Sequence, residues 1–306
     1  MSGTYRGYEV VSMCPPSSGG IHVVQILNIL EGYDLTKMGF GSSSTVHAMA
    51  EAMRYAYADR SEFLGDPAFV DVPVAGLTSK AYAAEIRNKI GFDRATPSSE
   101  VKPGAPWQHE GENTTHYSIV DKFGNAVAVT YTINWGYGCG AAIEGAGFLM
   151  NNEMDDFSIK PGVPNLYGLV GGDANAVEPY KCPLSSMTPT MVFRDGKLFM
   201  LLGSPGGARI ITTVLQVIMN VIDHKMDIRE AVDAPRIHMQ WVPDEIRFEK
   251  YGLSVDVVTK LKAMGHTVSE KGQMGDVNAI LVDPATGILY GAGDPRNRDM
   301  IPTFNY

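Results

Sequence analysis

Thr114 opens the stretch Thr114-Thr115-His116-Tyr117-Ser118, where a polar run rich in proline and glycine gives way to an alternating, β-branched one. A threonine hydroxyl is a weak nucleophile at neutral pH and needs an adjacent base. One such base is the residue's own α-amine, freed if the chain is cut before it and titrating near pH ~8. The plainer reading of Thr114 is a β-branched residue at the leading end of a strand. Other groups with chemical potential lie further along. Gly203-Ser204-Pro205-Gly206-Gly207 stands between a strand and a helix, where glycines admit a close backbone approach and orphan helix amides stabilise negative charge; it also reads as a tight turn. It is neither a Walker A loop nor GxGxxG. Glu153, Asp155 and Asp156 crowd acidity into one short segment, which suits either a solvated loop or a site for an ammonium group. Ser185 and Ser186, between Pro183 and Pro189, are turn residues or hydroxyls for a carboxylate. Asn134, beside Trp135, can cap a turn or face a ligand.

The elements that must position these groups read as α+β. A strand over Tyr8 to Met13 ends at the turn-rich Cys14 to Gly20, and helical spacing follows from Ile21 to Leu30. Helices are expected from about Thr45 to Phe63 and from Ser79 to Ile90, closed by Gly91. Arg94 to Asn113 has little periodicity and reads as an exposed connecting segment, the kind of place where chains are cut. His116 to Val120 and Ala126 to Ile133 alternate around Asp121-Lys122-Phe123-Gly124-Asn125, which predicts a hairpin. A second hairpin is expected around Asp195-Gly196, then a helix from Ala208 to His224, another from Ser254 to Met264, and a closing hairpin around Asp283 to Gly287. Strands in hairpins and helices in separate runs point to antiparallel sheet with helices packed outside.

Composition narrows the classes. The chain has 306 residues, 44% of them hydrophobic, enough for a sizeable core. A net charge of −9 argues against nucleic acid or an anionic membrane as partner. Three scattered cysteines, Cys14, Cys139 and Cys182, make no disulfide framework and no zinc spacing. No apolar run is long enough to span a bilayer, and no secretory signal pattern opens the sequence.

Together these residues resemble the gamma-glutamyltransferase (gamma-glutamyl transpeptidase) family of N-terminal nucleophile hydrolases, from about Gly7 to the C-terminus. The resemblance implies an αββα sandwich and autocatalytic cleavage between Asn113 and Thr114. It divides the chain into 1–113, the C-terminal part of a large subunit, and 114–306, a small subunit with Thr114 as nucleophile. Thr132 matches the threonine that positions the nucleophile. Asn134, Glu153 and Asp156 match the residues that hold the α-amino group of a γ-glutamyl moiety. Ser185 and Ser186 match those that bind its α-carboxylate, and Gly206 and Gly207 the oxyanion-hole backbone. Pro161 to Gly172, with Tyr167, resembles a lid loop.

The same resemblance implies that the family's preceding large-subunit segment, with sheet strands and a carboxylate-binding arginine, is absent here, and that no cofactor or metal is needed. It implies transfer from glutathione or a related γ-glutamyl compound to water, an amino acid or a peptide, in a periplasmic or extracellular setting. Trp135-Gly136-Tyr137-Gly138-Cys139 departs from the family's usual sequence after the asparagine. Two other readings compete: a β-lactam side-chain acylase on the same fold, and an inactive fragment that binds only a ligand or a partner chain.

Overall fold

The computed structural model describes residues 1–104 and 115–296. The elements are β1 (Ser2–Tyr5), β2 (Tyr8–Ser12), α1 (Ser18–Leu30), α2 (Leu35–Met38), α3 (Ser43–Phe63), α4 (Val74–Leu77) and α5 (Lys80–Arg87). After the undescribed residues come β3 (Thr115–Val120), β4 (Ala126–Tyr131), β5 (Thr190–Arg194), β6 (Lys197–Gly203), α6 (Arg209–Ile222) and α7 (Ile228–Asp233). The rest are β7 (Ile237–His238), β8 (Ile246–Glu249), α8 (Val255–Ala263), β9 (Val268–Lys271), β10 (Asn278–Val282) and β11 (Leu289–Gly293).

Six strands form one antiparallel sheet in the order β1-β2-β5-β6-β10-β11. Two of its hairpins turn on a pair of positive-φ residues, Arg6-Gly7 and Asp195-Gly196, the backbone that matches the twist of the flanking strands. Helices α1, α3 and α6 pack together, with α1 on β1 and β2 and α6 on β6. Residues such as Ile21, Ile26, Met53, Val214 and Ile218 are fully buried there. On the other side of the sheet lies the β3–β4 hairpin, whose residues meet β6 and β10. His116 makes one of the contacts, and the Ser118 hydroxyl donates to the Asn278 carbonyl in β10 (3.2 Å). The His116 ring occupies the space a side chain at Gly203 would need, so β6 must carry a glycine there. Tyr117, Ile119, Val127 and Tyr131, on the hairpin's outer face, are exposed. The arrangement is the expected α+β class, with helices, sheet and hairpin in successive layers.

Three local outcomes differ from the sequence reading. Helix α1 starts at Ser18, inside the expected turn, with the Ser17 hydroxyl capping the Gly19 amide. Gly19 and Gly20 sit in its first turn because a side chain there would strike the Met187 and Met13 carbonyls. The described part of the connecting segment is tied down at Ser98 and Gly104, although Arg94, Ser99, Glu100 and Lys102 are exposed as expected. Ser98 donates to the Trp241 carbonyl (2.6 Å) and receives Arg54, while the Gly104 amide donates to Asp59 (2.8 Å). The small mixed sheet β7-β8-β9 was not anticipated; its β7 has only two residues, too few to show a period.

Candidate functional site

Asn113 and Thr114, the expected cut and nucleophile, lie outside the described residues. The hairpin that follows is described. Thr115 pairs with Tyr131, and Thr132 comes directly after β4. The Thr132 hydroxyl accepts from the Asn134 amide at 2.7 Å, which fixes the turn that leaves the strand. Asn134 takes φ of 70°, a left-handed conformation that asparagine tolerates better than most residues. Its side chain is thereby turned inward and buried. Nδ2 donates to the Asn152 carbonyl (3.1 Å), and Asn152 Oδ1 in turn accepts from the Trp135 amide (3.0 Å). Asn134 Oδ1 is buried and without a partner among the described residues.

Glu153 and Asp156 share one 3₁₀ turn, Glu153–Asp156. Burial raises the Glu153 carboxyl above its ordinary range, and a hydrogen bond with Asp156 pulls it the other way. Glu153 Oε1 is a second buried acceptor without a partner among the described residues. Asp155 points elsewhere: its Oδ2 accepts from the Leu166 amide (3.0 Å), so this third acid tethers the following loop. Asn175 links the acidic turn to the serine pair. Its Nδ2 donates to the Asp156 carbonyl (2.7 Å), and its Oδ1 accepts from the Leu184 amide (3.1 Å), one residue before Ser185.

Ser185 and Ser186 are buried. The Ser185 carbonyl accepts from both the amide and the hydroxyl of Ser18, which locks the pair to the start of α1. Ser186 Oγ lies 3.4 Å from Nη2 of Arg60, a buried guanidinium in the last turn of α3 whose Nε also donates to Ser18 Oγ (3.1 Å). Arg60 was not singled out in the sequence. Its residue type gives no signal there, since α3 also carries Glu51, Arg54, Asp59 and Glu62.

The glycine loop joins this cluster through Tyr167. Gly206 and Gly207 have φ of 137° and 57°, conformations open to glycine, and lead into α6, whose N-terminus has no side-chain cap. Among the described residues neither amide has a backbone acceptor. The Tyr167 ring lies on Gly207 where a side chain would collide with it. Its hydroxyl donates to the Asn134 carbonyl (2.8 Å), and its ring stands 6.2 Å from that of Trp135. Tyr167 thus covers the glycine loop and touches the asparagine wall at once. His116, two residues beyond Thr114, is neutral: burial pushes it down to about 4, and its ring nitrogens are taken by Thr130 and Ser118.

The arrangement combines a glycine loop at a helix start, two buried acceptors without partners among the described residues, Asn134 Oδ1 and Glu153 Oε1, beside Asp156, and a serine pair beside an arginine. It can hold a molecule with an ammonium at one end and a carboxylate at the other. A separate small pocket, lined by residues including Phe40, Met49 and Met219, contains none of these groups. Among the described residues no helix is long and apolar enough to cross a membrane.

The sequence profile of gamma-glutamyltranspeptidase matches residues 1–303. The chain is 60% identical over 299 residues to the glutathione hydrolase proenzyme of Escherichia coli, covering 98% of this chain and 51% of that protein. It therefore spans about half the length of the curated relatives it matches. A crystal structure of a Helicobacter pylori gamma-glutamyltranspeptidase variant is 65% identical, with a TM-score of 0.58 over 60% of this chain and 99% of that one. A cephalosporin acylase from Bacillus halodurans superposes on 97% of this chain and 51% of its own, with a TM-score of 0.82 and 28% identity.

Proposed function

Because this chain belongs to the gamma-glutamyltranspeptidase family, we propose that it supplies the nucleophile and most of the substrate contacts of an enzyme that transfers γ-glutamyl groups from glutathione or a related compound. The observation that carries this reading is the pair of buried, partnerless acceptors, Asn134 Oδ1 and Glu153 Oε1, beside Asp156. An ammonium group has three donors and no acceptor, and meets such a set where a neutral or anionic group would not. The hydroxyls of Ser185 and Ser186, backed by Arg60, suit the α-carboxylate at the other end.

In this reading the chain is cut between Asn113 and Thr114. The Thr114 hydroxyl then attacks the γ-carbonyl carbon while its proton passes to the freed α-amine. The Gly206 and Gly207 amides hold the oxyanion, the leaving amine takes the proton, and water or an amino-acid or peptide amine opens the resulting ester. Thr132 steadies the nucleophile, and the Tyr167 loop screens the site from bulk water. The partner is the large-subunit segment that completes the relatives' length, and the setting is periplasmic or extracellular, as is usual for the family.

Intact mass tests the first step: two pieces are expected, and a single species that Thr114→Ala leaves unchanged refutes it. Turnover is read with a γ-glutamyl anilide, with and without that segment. The acylase reading is favoured by the likeness to the Bacillus halodurans enzyme. It predicts equal turnover of a glutaryl anilide, which lacks the α-amine. Our reading predicts that the glutaryl compound is slower by at least ~100-fold, because the buried acceptors would be left unmet.

A further inference from the structure

Away from the candidate site, His47, Glu51 and His266 are all buried, and one ligand atom from each lies within 4.8 Å of the others. His47 and Glu51 stand one turn apart on α3 and so share a face; His266 comes from the turn between α8 and β9. The protons can be placed. A carbonyl oxygen only accepts, so His47 Nε2, 2.7 Å from the Gly91 carbonyl, carries the ring proton and leaves Nδ1 as a lone pair. That lone pair faces His266 Nε2 at 2.7 Å. Metal-bound histidines usually donate their second nitrogen to a backbone carbonyl in this way. Glu51 is the second sign. Its Oε1 accepts from Arg54 Nε (3.2 Å) and the Thr96 amide (3.3 Å), while Oε2 is buried with no partner among the described residues.

We propose that His47 Nδ1, His266 Nε2 and Glu51 Oε2 bind one divalent transition-metal cation of the zinc class, cross-linking α3 to the turn between α8 and β9. Two imidazoles and one carboxylate suit zinc, cobalt, nickel or copper better than magnesium or calcium. Nitrogen ligands ~2.0 Å from a tetrahedral ion stand ~3.3 Å apart, so the two rings must separate by about half an ångström. His266 moves its proton from Nε2 to Nδ1, so none is released. Its Nδ1 then no longer accepts from Arg54 Nη2, a bond that at 3.5 Å is the longest contact of the cluster, and Arg54 stays held by Ser98, Asp244 and Glu51. One guanidinium against two carboxylates leaves the cluster net negative before the cation arrives. If the chain is cut before Thr114, as the proposed function requires, His47 and Glu51 fall in one piece and His266 in the other, and the ion staples them.

The test is Co²⁺ titration of the chelator-stripped 306-residue chain. One equivalent is expected to give the visible absorption of tetrahedral cobalt, bleached by Zn²⁺. His266→Gln should abolish it, and Glu51→Gln, which keeps an acceptor for Arg54, should weaken binding at least tenfold. His224→Gln, outside the cluster, should leave it intact. No stoichiometric cobalt spectrum in the parent chain, or a spectrum that survives both His266→Gln and Glu51→Gln, overturns the proposal. The readout is the same in Thr114→Ala, so it fails or stands independently of the proposed activity.

Discussion

Replacing Gly207 by alanine tests whether the glycine loop and the Tyr167 loop are one unit. Gly207 has φ of 57°, where a Cβ costs about 1–2 kcal/mol. The new methyl would also collide with the Tyr167 ring and drive it off. That loses the hydroxyl bond to the Asn134 carbonyl, about 1 kcal/mol, and the ring pair with Trp135, about another 1 kcal/mol. Gly207→Ala should therefore cost about 3–4 kcal/mol in urea unfolding. Tyr167→Ala removes the same two contacts from the other side. In the double variant they are lost once, so its cost should fall short of the sum by about 2 kcal/mol. The cycle reads stability and needs no turnover. Additivity within about 0.5 kcal/mol would refute the argument, because the ring would then not be resting on Gly207.

Three further outcomes follow from buried charge. Asp294 holds Arg236 Nη2 at 2.6 Å with both groups almost wholly buried, so Asp294→Ala strands a guanidinium and should cost about 3–5 kcal/mol by denaturant unfolding. Burial pushes His22 (facing Gln25 and Arg60) and His238 (facing Thr212, Gln240, Arg209 and Arg247) down to about 3, and His116 (facing Thr130 and Ser118) to about 4. The unfolded chain binds these protons near pH ~6.5, so stability is full above that and falls below it, by roughly 2 kcal/mol per histidine at pH ~5. Burial raises Asp59 to about 6, and this group acts the opposite way, recovering part of the loss as it protonates in the folded state first. A flat stability profile between pH ~7.5 and ~5 would contradict the histidine placement. Glu153→Gln should stabilise the ligand-free chain at neutral pH, because burial disfavours the charged form, with the gain vanishing below pH ~4. The same change should weaken binding of an amine-bearing ligand, and a destabilised variant would mean that Glu153 is paired for structure.

What was legible in the sequence were features set by a few neighbouring residues. Asp195-Gly196 fixes its hairpin because few other pairs accept two positive-φ positions, and the alternation around Asp121 to Asn125 fixes β3 and β4. What was not legible depends on residues far apart. Nothing local says that Gly19 and Gly20 belong to a helix; the Met187 and Met13 carbonyls that exclude a side chain there do. The segment before Gly104 reads as linker because its tethers, Trp241, Asp244 and Asp59, lie far away in the chain. Of the three acids the composition of the loop cannot tell Asp155, a tether for Leu166, from Glu153, which keeps a free oxygen.

That difference bears on how the site is held. A buried acceptor with no donor costs about 1–3 kcal/mol, and Asn134 adds the strain of a left-handed backbone. Such groups would collapse onto one another or turn to solvent unless fixed, and each is fixed by contacts that leave its free oxygen untouched. Thr132 holds the Asn134 backbone, Asn152 holds its Nδ2, Tyr167 holds its carbonyl, and Asn175 holds the turn behind Asp156. The scaffold satisfies donors and carbonyls and leaves side-chain acceptors exposed to the interior. A ligand that brings donors recovers the energy held in them, and one that does not inherits the penalty. If the site takes an amine, as proposed, discrimination for it is set by the framework around Asn134 and Glu153 as much as by the two residues themselves.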